Sequence, residues 1–189
     1  IYKWFVGATA APVTDMVLKV FMEFEAPEYS QEGIDTFRAF MDPERLQNLM
    51  KENKMSMYCC YDGVDLVGVI AYRDVAHISL LFVNKDYHRR GIAKELFRRS
   101  FQKIQQKNTG IIAVTVNSSP YALRIYERMG FKALSEMKVQ NGIKFIPMKK
   151  ELDIVVQLRN EIEADYADVE HLTREAFWNH HVPGCDEHY

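Results

Sequence analysis

A basic turn that contains a glycine is the part of the chain best suited to hold an anion. Residues 83–94 lie between a strand-like run and an amphipathic helical run, and they place Arg89, Arg90 and Lys94 around Gly91. The first N–H groups of a helix lack intrahelical partners, and the helix dipole adds about half a positive charge there. The turn therefore predicts an anion site, with a basic helix start on a solvated face as the alternative. The glycine patterns of P-loop and dinucleotide sites are absent.

Two motifs give the turn a family context. The segment His88-Arg89-Arg90-Gly91-Ile92-Ala93 resembles the [QR]-x-x-G-x-[GA] acetyl-CoA signature of the GNAT N-acetyltransferase superfamily, although His88 replaces Gln or Arg at its first position. Residues 117–131, NSSPYALRIYERMGF, resemble the family's second motif, N-x-S-P-Y-A-x-x-x-Y-E-x-x-G-F. The two motifs occur in the family's order, so the sequence is identified as a member of this superfamily.

The resemblance implies that acetyl-CoA is the acyl-donor substrate. Backbone groups of the strand before the turn would pair with the pantetheine arm, and the amides of the turn would hold the pyrophosphate. Asn117 would lie beside the pantetheine, or would serve only as a turn residue at a strand end. The implied cofactor-binding residues are Leu81, Phe82, Val83, His88, Arg89, Arg90, Gly91, Ile92, Ala93, Lys94, Asn117 and Tyr126.

Two side chains are expected to move protons. Tyr126 matches the family tyrosine that protonates the leaving thiolate, although it could simply pack beside Phe131. His77 is the predicted base, because it precedes His88 by the spacing at which some members of the family carry a glutamate base, and because imidazole titrates near neutral pH. A histidine paired with Asp74, and a chain of water molecules as the base, are the alternatives.

These roles predict an N-acetyltransferase that transfers an acetyl group from acetyl-CoA to a small-molecule or peptide primary amine, by direct attack in a ternary complex. A catalytically idle acyl-CoA-binding sensor or interaction module is the alternative. Cys59 and Cys60 are not expected to form an acetyl-enzyme, because no basic partner has a recognisable spacing. The polar residues from His180 to His188 supply only one arm of a zinc pattern, so a metal site is not predicted.

An acidic connection could select the amine. Between residues 23 and 35 the chain has five carboxylates and no Lys or Arg. If this connection lines the acceptor side of the cleft, its negative potential favours cationic amines such as polyamines. A solvated acidic loop without a role is the alternative.

Composition limits the partners. Lys and Arg total 24 against 26 Asp and Glu, which gives a formal net charge of −2. This balance disfavours an anionic membrane, and it disfavours nucleic-acid binding through Arg89, Arg90, Arg98 and Arg99. The apolar runs are far shorter than the roughly 18 residues of a membrane span, and residues 1–12 do not resemble a secretory signal. Three cysteines do not suggest a disulfide framework. We therefore expect a cytoplasmic protein without nucleic-acid or membrane partners.

The hydrophobic periods predict an α/β chain with the element order βααβββαβαββ. The resemblance implies the GNAT fold, a mixed and mostly antiparallel central sheet with two splayed parallel strands, flanked by helices. Helices are expected at residues 14–24 (capped by Thr14), 34–41, 43–51, from 92 onwards and 121–129. Strands are expected at residues 1–6, 57–61, 66–73, 77–83, 111–116, 131–138 and 143–152.

The last part of the chain does not continue this pattern. Residues 153–189 resemble the opening strand and first helix of another GNAT domain. We expect a GNAT acetyltransferase domain at residues 1–152 and a C-terminal βα extension at 153–189, either a truncated second domain or an appendage. Phe177 and Trp178 would leave an apolar patch exposed on a free tail, so a homodimer is a possible assembly.

Overall fold

The computed structural model describes residues 1–108, 110–152 and 162–178. The chain divides into two units, Ile1–Asp153 and Ile154–Tyr189. The first unit contains a mixed sheet with helices on both faces, which confirms the α/β fold predicted from the sequence.

Eight strands form the sheet of the first unit. They are β1 (Tyr2–Trp4), β2 (Ser56–Asp62), β3 (Asp65–Arg73), β4 (His77–Val83), β5 (Ala113–Ser118), β6 (Lys132–Ala133), β7 (Lys138–Gln140) and β8 (Ile143–Glu151). Their spatial order is β1-β2-β3-β4-β5-β8-β6, with β7 also paired to β8. Among these strands, β4 and β5 make the parallel pair and the other pairs are antiparallel.

Five helices cover the two faces of this sheet. They are α1 (Ala11–Phe24), α2 (Gln31–Phe40), α3 (Pro43–Lys51), α4 (Ile92–Lys107) and α5 (Leu123–Arg128). One buried cluster lies between the sheet and the helices α1, α2 and α3. A second lies between the other face of the sheet and the helices α4 and α5. Successive residues of a strand point to opposite faces, so Cys59 belongs to the first cluster and Cys60 to the second. Both cysteines are therefore buried, whereas the sequence required only one to face the core.

A β-bulge in the β3–β4 pairing lies next to the point where the two parallel strands, β4 and β5, part. Ala71 pairs with Leu80 and Tyr72 pairs with Ile78, which leaves Ser79 as an extra residue on β4. A bulge bends its strand and increases the local twist. In the described chain β4 and β5 pair only at His77 with Thr115 and Ile78 with Val116, so the strands separate beyond these residues. The resulting gap is where the resemblance implies that the acyl donor enters.

The start of α1 differs from the prediction. Thr14 is not the N-cap, because the helix begins at Ala11 with Pro12 in its first turn, a favoured position for proline. Thr14 is instead buried inside the helix, and its hydroxyl donates a hydrogen bond to the carbonyl of Met41 at 2.8 Å. A threonine at this position therefore ties α1 to the end of α2.

The predicted number of elements is wrong at two places in the chain. The order βααβββαβαββ counts two helices before the meander, but residues 34–41 and 43–51 fall in separate helices, so α1 is followed by α2 and α3. The strand expected at residues 131–138 is two short strands, β6 and β7. Leu134 donates its N–H to the carbonyl of Pro147 on β8, and Pro147 has no N–H to return.

The second unit contains α6 (Tyr166–Trp178), which follows a short 3₁₀ turn. The Asp165 carboxylate accepts a hydrogen bond from the Ile162 N–H at 2.9 Å, as expected of an acidic residue at a helix start. The strand expected around Val155, the side chains of Phe177 and Trp178, and the segment from His180 to His188 lie outside the described residues. In the described part of the chain no helix is long and apolar enough to cross a membrane.

Candidate active site

A cavity of about 490 Å³ lies where the end of β4 meets the first turn of α4 and helix α5; we call it the α4 cavity. Most of the residues that the motifs single out for the cofactor line it. They are Leu81, Phe82, Val83, His88, Arg89, Gly91, Ile92, Ala93, Lys94 and Tyr126. The fold thus brings together a strand end, a helix start and a tyrosine from the second motif.

The backbone of the turn leaves open space above the first amides of α4. Arg89 and Gly91 adopt left-handed φ angles of 62° and 78°. A Cβ placed on Gly91 would meet no protein atom within 4 Å. The His88 Nε2–H donates to the carbonyl of Val83 at 2.8 Å and fixes the strand to the turn. Since the cation Lys94 also lines the cavity, the turn fits a diphosphate-bearing ligand.

Two residues predicted for the cofactor, Arg90 and Asn117, are not among those that line the α4 cavity. The Arg90 guanidinium stacks over the Tyr87 ring at 4.8 Å, and the Tyr87 hydroxyl donates to Asp62 at 2.9 Å. The Arg90 guanidinium is therefore engaged with a neighbouring ring, and Arg90 is not among the residues that line the α4 cavity. Asn117 lines a second cavity instead.

This second cavity, the α2 cavity, has a volume of about 310 Å³. Aromatic side chains of Tyr29, Phe37, Phe40 and Phe145 contribute to its wall. The residues common to both cavities are Glu25, Leu81, Phe82, Ala122 and Tyr126. The two cavities therefore adjoin at the gap between β4 and β5.

Helix α2 and the β7–β8 hairpin contact each other and together contribute to the wall of the α2 cavity. The Tyr29 hydroxyl, just before α2, donates to the carbonyl of Lys144 at 3.0 Å, and the Thr36 hydroxyl donates to the carbonyl of Asn141 at 3.1 Å. Gly142 has a φ of 73°, and a Cβ on it would lie 2.3 Å from the Gly33 nitrogen. Only glycine permits this close approach.

Tyr126 lies where the two cavities meet. The ring is buried in α5 and packs edge to face with Phe131, their centroids 5.3 Å apart. Burial, with the nearby Glu25 carboxylate as a smaller cause, raises the pKa of Tyr126 far above its ordinary value. The hydroxyl therefore stays protonated at neutral pH.

His77 lines the α2 cavity, but both of its ring nitrogens are engaged. Arg73 Nη2 lies 3.1 Å from His77 Nε2, and because a guanidinium only donates, Nε2 accepts. Nδ1 then carries the proton and donates to the Thr115 hydroxyl at 2.8 Å. Burial, reinforced by the Arg73 charge, lowers the pKa of His77 to about 4. The histidine is therefore a neutral, fixed ring at physiological pH.

Glu25 is the functional candidate that the motifs do not contain. It follows α1 and lines both cavities. Burial raises its pKa to about 7 despite a hydrogen bond with the Ser119 hydroxyl, which lowers it. The sequence does carry a signal, because Glu25 lies four residues after Phe21 and so continues the buried stripe of α1.

The other carboxylates of the acidic connection are not among the residues that line the α2 cavity. Glu23 pairs with Lys85 at 3.1 Å on the surface, and Asp35 accepts a hydrogen bond from Gln31 at 2.9 Å. The expected acidic wall is therefore reduced to Glu25 at this cavity.

The buried cysteine Cys59 is not activated as a nucleophile. Burial raises the pKa of Cys59 to about 12, so its thiol is protonated at neutral pH. Within residues 1–108, 110–152 and 162–178, no three His, Cys, Asp or Glu side chains are grouped so that they could hold a metal ion.

Comparison with known proteins places this geometry in context. Residues 25–152 match the family model described as the acetyltransferase (GNAT) domain. No curated protein sequence matches the chain significantly.

Solved structures share the fold at low sequence identity. A GCN5-related N-acetyltransferase from Rhodopseudomonas palustris has a TM-score of 0.69 and 19% identity, with 80% of this chain and 95% of that one covered. An acetyltransferase of the GNAT family from Staphylococcus aureus has a TM-score of 0.63 and 11% identity, over 81% and 99% of the two chains. The PaiA N-acetyltransferase from Thermoplasma acidophilum, in complex with coenzyme A, has a TM-score of 0.61 and 20% identity, over 75% and 92%.

Proposed function

The chain belongs to the GNAT acetyltransferase family, and from this membership we propose that it transfers an acetyl group from acetyl-CoA to a primary amine by direct attack in a ternary complex. The observation that carries the proposal is the junction of two cavities at Tyr126 and Glu25. One cavity has a basic turn suited to a diphosphate, and the other has an aromatic wall suited to an organic amine. Direct transfer requires two substrates to meet at one point, as these cavities do.

The residues that would hold acetyl-CoA follow from the α4 cavity. The amides from residue 91 to Lys94 and the Lys94 ammonium would bind the pyrophosphate. The free edge of β4 from Leu81 to Val83 would pair with the pantetheine arm, as an added strand does. Acetyl-CoA would supply an activated thioester. Arg90 and Asn117 are proposed only as outer neighbours, since neither lines this cavity.

Two side chains would move protons during the reaction. The neutral form of the amine attacks: its nitrogen forms a bond to the acetyl carbon, the carbon–sulfur bond breaks, and the nitrogen releases one proton. We propose that Glu25 accepts this proton and that Tyr126 donates its hydroxyl proton to the departing thiolate. His77 is less suited to the base role predicted from the sequence, because its Nε2 lone pair is directed at Arg73.

Release of free thiol from acetyl-CoA, measured against a panel of primary amines, tests the proposed function. We expect amine-dependent thiol release together with binding of acetyl-CoA by isothermal titration. Binding without thiol release for any amine would support the alternative, an idle acyl-CoA sensor. Absence of binding would contradict both functions.

A further inference from the structure

The α2 cavity contains cations where the acidic connection was expected to place carboxylates. Arg73 and Lys144 line it, and Glu25 is the only Asp or Glu among its lining residues in the described chain. Glu25 adjoins the α4 cavity, so it lies at the end where the amine would react. The charge of the remaining wall therefore favours an anionic group on the acceptor.

Arg73 is oriented by the fold yet keeps hydrogen-bond donors for a ligand. It ends β3 directly opposite His77, and its Nη2 donates to His77 Nε2 at 3.1 Å. Thr115 on β5 fixes the other side of that imidazole. The Arg73 Nε lies 3.8 Å from the Asp74 carboxylate, beyond ordinary hydrogen-bond length, and the Asp74 side chain is 85% exposed. A guanidinium has five N–H donors.

The rest of the wall suits an apolar body of modest size. Tyr29, Phe37, Phe40 and Phe145 line the cavity, whose volume is about 310 Å³. The hydroxyl of Ser79, at the bulge of β4, is buried in the same wall and has no partner in the described structure. A ligand with both aromatic and polar groups would satisfy both features.

We propose that the acceptor is a primary amine that also carries a carboxylate and an apolar side chain, as a hydrophobic amino acid does, and that Arg73 binds the carboxylate. The inference rests on the proposed acetyl transfer. A guanidinium and a carboxylate form two parallel hydrogen bonds, which orient the acceptor as well as hold it. His77 acts here as a positioning residue that aims Arg73. The preference is opposite to the polyamine preference expected from the acidic connection.

A matched set of acceptors tests the proposal. Thiol release from acetyl-CoA is measured with L-phenylalanine, L-phenylalaninamide, phenethylamine, phosphoethanolamine and spermidine. We expect kcat/KM for L-phenylalanine to exceed that for each of the other acceptors by at least about tenfold. Phenylalaninamide is the sharpest comparison because it lacks only the carboxylate charge. A preference for phosphoethanolamine would instead assign Arg73 to a phosphate.

Variants then assign the preference to one side chain. Arg73→Gln is expected to lower kcat/KM for L-phenylalanine at least about tenfold and to leave phenethylamine unchanged. Arg73→Lys is expected to restore part of the loss. Arg99→Gln, which changes an exposed arginine on α4 that stacks over Tyr2, serves as the control. Acetyl-CoA affinity, measured by titration, verifies that each variant is folded.

The possible outcomes separate this inference from the proposed function. Thiol release with spermidine or phenethylamine as the best acceptor would overturn the inference and keep the acetyltransferase. An equal loss for every acceptor in Arg73→Gln would also overturn it. Absence of thiol release with all amines would contradict the proposed function itself.

Discussion

Tyr126 lies at the junction of the two cavities, and the family motif gives its hydroxyl a role as a proton donor. We expect Tyr126→Phe to lower kcat by about 10² or more while changing acetyl-CoA affinity less than about threefold, because only proton donation is lost. Steady-state thiol release and isothermal titration measure the two quantities. Tyr72→Phe removes another buried hydroxyl, bonded to Ser100 at 2.8 Å, and is the control. Equal activity in the two variants would remove Tyr126 from the mechanism.

Glu25 is expected to set the acidic limb of the pH–rate profile. Its pKa is raised to about 7, so the carboxylate becomes a proton acceptor as the pH rises through 7, and kcat/KM rises with it. Glu25→Gln should lower kcat by about 10² or more and abolish this limb. Glu28→Gln, three residues further along, is the control. A limb that persists in Glu25→Gln but disappears in His77→Gln would restore His77 as the base.

Single residues differ in how far the sequence can predict them. The turn residues and Tyr126 are predictable because their spacing along the chain is itself the motif. Glu25 is predictable only in part, because its position continues the buried stripe of α1 but its partial burial in the cavities depends on β4 and on the segment after β5. His77 is found by its spacing from His88 and by its residue type, but its role depends on Arg73, with which it pairs only after β3 and β4 align.

At the scale of elements, the first turn of α4 has a matched control within the same chain. Gly91 and Gly63 both have left-handed φ angles, 78° and 59°, and a Cβ on either meets no atom within 4 Å. We expect Gly91→Glu to weaken acetyl-CoA binding by at least about tenfold, about 1.4 kcal/mol, because the carboxylate would oppose a pyrophosphate. Gly63→Glu should bear the same backbone strain and keep full affinity. Isothermal titration of both variants with acetyl-CoA shows whether affinity is lost through the added charge at the turn or through backbone strain.

The contact between α2 and the β7–β8 hairpin supports a second element-scale prediction. Gly142→Ala would bring a Cβ to 2.3 Å from the Gly33 nitrogen, so α2 must move. We expect KM for the amine to rise at least about fivefold, with unchanged acetyl-CoA affinity, since this contact borders only the α2 cavity. Thr36→Val, which removes one hydrogen bond across the same boundary, should show a smaller change. Loss of acetyl-CoA affinity in Gly142→Ala would show that the two cavities are not independent.

Elements with a strong hydrophobic periodicity were predicted correctly. Features that depend on pairing with another strand were not. The meander and the α4 stripe follow from local alternation and helical spacing. The end of β6 does not follow from its own sequence, because it depends on Pro147 of β8, which has no N–H to donate. The bulge at Ser79 is likewise a property of the β3–β4 pairing and leaves no mark in the sequence of either strand.

At the scale of the whole molecule, two half-buried groups, Glu25 and His77, give opposing dependences of stability on pH. The folded pKa of Glu25 is raised to about 7, so folding is favoured at low pH and this contribution is lost as the pH rises toward 7. The folded pKa of His77 is lowered to about 4, so its contribution is lost as the pH falls below 6.5. Between pH 4.5 and 6.5 the two effects oppose each other.

Denaturant unfolding of two variants is expected to separate these effects. Relative to the unmodified chain, Glu25→Gln should become more stable as the pH rises from 4.5 to 7, because the penalty of ionising a buried carboxylate is gone. His77→Gln should become relatively more stable as the pH falls from 6.5 to 4. Parallel pH curves for all three proteins would show that neither group titrates differently in the folded and unfolded states.

The hydrogen bonds that close the α2 cavity join parts of the chain that are far apart in sequence. Tyr29 and Lys144 are 115 residues apart, and Thr36 and Asn141 are 105 apart. The α4 cavity is instead built largely from residues 81–94 and 121–129. Because closing a long loop carries a greater entropic cost than closing a short one, the wall between α2 and the hairpin is expected to form late during folding. The molecule would then acquire its acetyl-CoA cavity before the cavity that selects the amine.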